Sequence, residues 1–196
     1  MSNLVFAILL YHRPLIPKIS MYYVVQVKTG KEQTTIDDIK RYNNSQSYFE
    51  VFAPYRKELR KYKGEFKEVL VRCFPGYIFV ETDDPKQLFH DLYWVPDFTR
   101  LLGREGLTYN FVPLNLEESR MIDILYNANN GRVTPISDIE IVEGDKIVVL
   151  DGPLVGIESN IIKINLHKRT VLVEFDFCGR RVTATVGINI VTKIEK

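Results

Sequence analysis

Apolar and polar positions alternate in short, readable blocks along most of the chain. YYVVQV (Tyr22–Val27) is β-branched and aromatic throughout, the composition of a strand buried on at least one face. Thr29 and Glu32 have capping-box spacing ahead of the apolar pair Ile36 and Ile39, which predicts a helix. A short strand over residues 48–52 stops at Pro54. Residues 56–72 carry Arg56, Lys57, Arg60, Lys61, Lys63, Lys67 and Arg72 against Glu58, Glu65 and Glu68, with Gly64 near the middle; they read as a solvated hairpin or loop. The turn-like FPG of residues 74–76 leads into the strand YIFV, residues 77–80. Asp84 followed by Pro85 opens a second helix with Leu88 and Leu92 one turn apart. A strand over residues 99–102 ends at Gly103, and Asn115 with Glu118 in box position opens a third helix, its buried side formed by Leu116, Ile122 and Leu125. This order of elements predicts an α+β domain, an antiparallel sheet flanked by helices.

The periodicity stops after Tyr126. NANNGRVTPISD (residues 127–138) is polar and contains Gly131 and Pro135, the composition of a linker. Beyond it come five strand-like runs without a helix: KIVVL, NIIKI, TVLVEF, RVTATV and NIVTKI. Turn residues separate them at Gly152, Pro153 and Gly156, at residues 165–169, at Cys178 and Gly179, and at Gly187. Short strands at this spacing predict a small β-barrel. The expected organisation is a leader over 1–20, a first domain over 21–127, a linker over 128–138 and a barrel over 139–196. The leader has an apolar run at residues 4–11, but Arg13 and Lys18 follow it, the wrong order for a secretory signal. It reads as disordered, with Met21 as the natural first residue.

Composition narrows the chemistry. The 196 residues carry 26 Lys plus Arg against 25 Asp plus Glu, a formal charge of +1. Such balance excludes a protein that adheres to any polyanion, while leaving room for a local basic patch. Cys73 and Cys178 stand apart and outside any CxxC pair, so neither a disulfide framework nor a zinc ribbon is expected, and a reducing cytoplasm is the natural setting. No apolar run approaches the roughly 20 residues a membrane-spanning helix needs. Signatures of hydrolases, nucleotide-binding loops and zinc proteases are absent, and His12, His90 and His167 are too scattered for a metal site. Cys73, beside Arg72, is the candidate nucleophile that remains. The chain reads as a non-enzyme without a cofactor.

Within the barrel segment, Gly144, Asp145, Gly152, Pro153 and Gly156 stand where the KOW motif has its Gly-Asp strand start and Gly-Pro turn. Ser159 replaces a further glycine of that motif, a strain of roughly 1 kcal/mol if the backbone there is left-handed. The first segment, with YYVVQVKTGKE, a basic insertion, FPGYIFVE and WVPDFTRLLG, resembles the N-terminal (NGN) domain of NusG-type transcription elongation factors. The resemblance runs from Met21 to Lys196 in the family's order. It implies an NGN domain that docks on the clamp helices of RNA polymerase, and a KOW barrel that contacts Rho, a ribosomal protein or RNA. Docking on helices needs an apolar patch, and strand alternation puts Tyr77 and Phe79 on one face, Ile78 and Val80 on the other. Phe74, Tyr77 and Phe79 are therefore the expected polymerase-facing residues, plain core being the alternative. Phe89 and His90 are expected where the family touches the opposite jaw.

FCGRRVTATVG, with its paired arginines, departs from the housekeeping factor and looks like the specialised NusG paralogs, in particular the LoaP antiterminators. That likeness implies processive antitermination of selected operons through a hairpin in the nascent RNA. Lys163, His167, Lys168 and Arg169 on one barrel turn, and Arg180 and Arg181 on the next, are the expected RNA contacts; solvated turns are the alternative. The segment from Asp138 holds eight Lys/Arg and nine Asp/Glu, so any such site is a patch. The basic hairpin could approach upstream DNA, and the protein is expected to act as a monomer. Two other readings stand beside this one: a general elongation factor with a protein-binding barrel, and a stand-alone RNA-binding KOW protein.

Overall fold

In the computed structural model, the described residues are 21–42, 47–97, 99–102, 111–142, 146–177 and 180–191. The leader over 1–20, Gly103, and Gly144 and Asp145 of the KOW motif lie outside them. Strand β1 (Tyr22–Val27) runs through the middle of an antiparallel sheet of order β2-β5-β1-β6, with β2 (Glu50–Phe52), β5 (Tyr77–Glu81) and β6 (Thr99–Leu101). Helices α1 (Glu32–Tyr42) and α2 (Pro85–Leu92) bury Ile36, Ile39, Leu88 and Leu92 in a core shared with Val25, Ile78 and Val80. The opposite face carries Tyr22, Val24, Phe52 and Phe79, beside Ile122 and Leu125 of helix α3 (Leu116–Leu125).

Local chemistry explains most boundaries. Asp84 caps α2 by accepting the Gln87 N–H at 3.0 Å, and Pro85 takes the first helical position. On α3 both halves of the capping box form: the Glu118 N–H donates to Asn115 at 2.9 Å, and the Asn115 N–H to Glu118 at 2.7 Å. Leu116 is exposed, contrary to expectation, because the inner face of α3 is made by Glu118, Ser119, Ile122 and Leu125. The Thr29 cap is also replaced. Helix α1 begins at Glu32, whose carboxylate instead accepts the Gly76 N–H at 2.6 Å and pairs with Arg72 at 2.6 Å.

The basic segment is a regular hairpin of β3 (Tyr55–Tyr62) and β4 (Glu65–Arg72). Lys63 and Gly64 both have positive φ, the primed turn that suits the right-handed twist of paired strands. A short strand β7 (Val133–Thr134) adds to β3 in parallel. The first part of the stretch expected as a linker, through Thr134, is therefore built onto the first domain, while Ser137 and Asp138 already belong to the second sheet. Arg132, buried, anchors it: its guanidinium pairs with Glu50 and Asp123, donates to the Tyr126 carbonyl and the Tyr22 hydroxyl, and lies 4.2 Å from the Phe52 ring centroid.

The second unit is a barrel-like sheet of order β10-β11-β12-β8-β9, comprising β8 (Ser137–Val142), β9 (Lys146–Asp151), β10 (Ile161–Asn165), β11 (Thr170–Phe177) and β12 (Arg180–Ile190). Strand β8 was not expected, and β12 runs through RVTATV into Asn189 and Ile190, the start of the last predicted run, so Gly187 lies in a strand and not in a turn; residues 192–194 of that run lie outside the described residues. Ser159 sits in a single 3-10 turn without a left-handed φ, so it carries no strain there.

Candidate functional site

Aromatic rings dominate the face of the first sheet turned away from α1 and α2. Phe52 stacks on Phe79 with centroids 5.6 Å apart, Phe74 lies 5.4 Å from Phe79, and Tyr126 meets Phe74 edge-on at 5.8 Å. Phe79 is fully buried; Phe74 and Tyr77 are half-buried against the same cluster. Two ion networks set this face. Burial opposes the Glu32 charge, but N–H groups of Gly76, Glu32 itself and Gly30, together with Arg72, outweigh it and hold the carboxyl below its ordinary pKa. That anion fixes the turn from which Phe74 and Tyr77 project. At the other edge, burial and the bond to Asp123 push the Tyr22 phenol up to about 12, against the lowering influence of Arg132.

The barrel covers this face. One apolar cluster runs from Tyr22, Phe52 and Phe79 through α3 into Ile139, Leu154, Val173 and Phe175 of the barrel. Strand β12 lies against β3, and β11 against α3. At Gly187 the two backbones come so close that a Cβ would stand 3.3 Å from the Lys57 carbonyl carbon and nearer still to its oxygen. Arg169, itself at positive φ, reaches from the β10–β11 turn to stack 4.2 Å over the Phe66 ring of the hairpin and donates to Asn189 at 3.2 Å.

The remaining expected residues fall in three places. Lys163, His167 and Lys168 are exposed along a groove of about 730 Å³ whose other wall is the β3–β4 hairpin. Arg180 and Arg181 lie at the far end of β11: the register pairs Thr170 with Gly187 at one end and Phe177 with Arg180 at the other. The two basic turns thus do not form one surface, because successive hairpin turns of an antiparallel sheet alternate between its ends. Arg181 instead meets Glu174 at 3.4 Å in a smaller cleft with Glu117, Glu118 and Asp176. Phe89 and His90 are on α2, on the opposite side of the sheet from Phe74; Phe89 packs 5.1 Å from Phe111. Beside them Tyr93 and Trp94 are 86% and 74% exposed, an aromatic pair that sequence periodicity left unassigned.

Cys73 does not suit nucleophilic chemistry. Burial pushes its thiol up and outweighs the lowering influence of Arg56 and Tyr126, so it stays protonated near neutrality. Arg72, its neighbour in sequence, is committed to Glu32. Among the described residues no group of His, Cys, Asp and Glu could hold a metal ion, and no helix is long and apolar enough to cross a membrane.

A family model described as "Transcription termination factor nusG" matches residues 20–125, more than half of the chain. The chain belongs to the NusG family. It is similar to the transcription termination/antitermination protein NusG of Lactococcus lactis, 26% identical over 178 residues, which span 89% of this chain and 93% of that protein. The NusG of Thermus thermophilus is 25% identical over 182 residues, 88% of this chain and 97% of that one. A solved structure described as "Domain interaction in Thermotoga maritima NusG" covers 86% of this chain and 93% of its own, with a TM-score of 0.50 and 18% identity. This NusG-family protein accordingly has the expected fold, an NGN domain followed by a barrel-like domain, and is a transcription termination/antitermination factor; such factors are not enzymes.

Proposed function

We propose that this NusG-family protein binds RNA polymerase through the aromatic face bearing Phe74, Tyr77 and Phe79, and promotes processive antitermination of selected operons, its barrel contacting a hairpin in the nascent RNA. The observation that carries the reading is the nature of that face: a patch of stacked rings that lies away from α1 and α2, meets α3 on one side, and shares its apolar cluster with a separate sheet domain. An apolar face under a removable cover fits a helical partner once the barrel swings away. In the closed arrangement the face is withheld, so polymerase binding is coupled to opening.

Replacing Phe74 and Tyr77 together by serine in the full chain tests the polymerase half. Loss of polymerase binding with the unfolding midpoint little changed supports docking by this face; undiminished binding removes it. The second reading, a general elongation factor with a protein-binding barrel, is favoured by one feature: Val148, Leu150, Ile162 and Ile164 stand exposed on β9 and β10. Under that reading the barrel takes Rho or a ribosomal protein, and leader RNA binds no better than a scrambled sequence.

A further inference from the structure

The basic hairpin of the first domain and the basic turn of the barrel carry similar charge and lie far apart along the chain. In the closed molecule they face each other across the 730 Å³ groove. Arg56, Arg60 and Lys61 line one wall, Lys163, His167 and Lys168 the other. A chain of net charge +1 has thus gathered five Lys/Arg and a histidine around a single acid, Glu58. Glu58 is buried and bonded to Arg56 at 2.7 Å and to Arg60 at 3.3 Å, which orients those guanidiniums rather than cancelling the groove. Among the described residues Lys61, Lys163 and Lys168 form no ion pair. Asn165, Thr170 and Thr185 add an amide and two hydroxyls to the lining, and Phe66, Leu59 and Leu172 its apolar part.

We propose that this interdomain groove is a composite RNA-binding site, built from both domains and assembled only when they close. This rests on the RNA reading above and deepens it by giving the RNA a second wall in the closed, polymerase-free protein; once the barrel swings away and the polymerase face is uncovered, the barrel wall alone keeps the RNA. Opposed lysines suit a phosphate backbone threaded between them, and a groove with two walls admits one strand, as in the splayed loop of a hairpin, where a duplex would lie across the rim. Hydroxyl and amide groups in the lining can meet ribose 2′-hydroxyls. Arg169 takes part indirectly: its ring stack on Phe66 holds the walls together, so its own charge is already engaged.

The test uses the full chain and a fluorescent hairpin RNA from the leader transcribed beside the gene, with a scrambled RNA of equal length as comparison. Anisotropy titrations across a salt series compare wild type, Lys61→Gln on the hairpin wall, Lys163→Gln and Lys168→Gln on the barrel wall, and Lys86→Gln on α2 as a control for net charge. Each of the three groove lysines is expected to weaken leader binding about fivefold at 0.1 M salt and to reduce the salt slope by about 0.7–0.9, with Lys86→Gln silent. If only the two barrel variants weaken binding, the composite groove is wrong while RNA recognition by the barrel stands. If leader and scrambled RNA bind alike and no variant matters, the RNA reading falls and the groove with it.

Discussion

The closed arrangement depends on a glycine. Gly187 lies within β12, paired with Thr170, and its φ is not left-handed, so the strand itself would accept alanine and gain from it. The obstacle is on the other domain: the new Cβ would stand 3.3 Å from the Lys57 carbonyl carbon, 3.4 Å from the Glu58 Cα, and inside 3.0 Å of the Lys57 carbonyl oxygen. All three atoms are backbone of β3, held in register with β4, so no side chain can swing aside. Forcing an extra carbon into a filled contact costs typically about 1–3 kcal/mol, which corresponds to a 5- to 150-fold shift between two conformations. Gly187→Ala is therefore expected to open the two domains without unfolding either. Fluorophores at Gln87 and Val155, in a chain with both cysteines replaced by serine, report the change as a longer and broader distance distribution; Gly187→Val exaggerates it. An unchanged distribution in both variants would refute the claim that β12 rests on β3 in solution. A fall in far-ultraviolet strand signal would point to barrel unfolding instead.

Two further outcomes follow from the ion networks. Arg132→Met removes a buried guanidinium and strands the Tyr126 carbonyl; because Glu50 and Asp123 are partly exposed and can rehydrate, the expected loss is about 3 kcal/mol, the lower end for breaking a buried pair, read by urea denaturation as a lower midpoint. Glu32→Gln tests the pH dependence. The Glu32 carboxyl titrates lower in the folded than in the unfolded chain, so its stabilisation is complete above its ordinary value of 4.5 and disappears as pH falls through the folded value. The stability gap between wild type and Glu32→Gln should be widest near neutrality and close on acidification; a gap independent of pH refutes the assignment.

Features set by neighbours along the chain were legible without coordinates. The Asp84 cap and the Asn115–Glu118 box formed as their spacing predicts, because both bonds close within one helical turn. Alternation on YIFV separated Phe79 from Ile78 correctly, since successive strand residues must face opposite sides. What composition could not supply was the partner of each group across the fold. Glu32 has the spacing of a capping residue, yet a distant N–H at Gly76 and the charge of Arg72 compete for its carboxylate and win. The polar run around Arg132 looks like a tether until Glu50, Asp123 and Tyr22 are brought to it. Gly187 reads as a turn because glycine usually relieves a local bend; its real reason is the backbone of another domain, which leaves no trace in the surrounding sequence. For the same reason two basic turns that look adjacent along the chain sit at opposite ends of β11, while the hairpin and the β10–β11 turn, far apart in sequence, share one groove. Local hydrogen bonds and side-chain periodicity are short-range and written in consecutive residues; which surfaces meet depends on packing that only the whole fold decides.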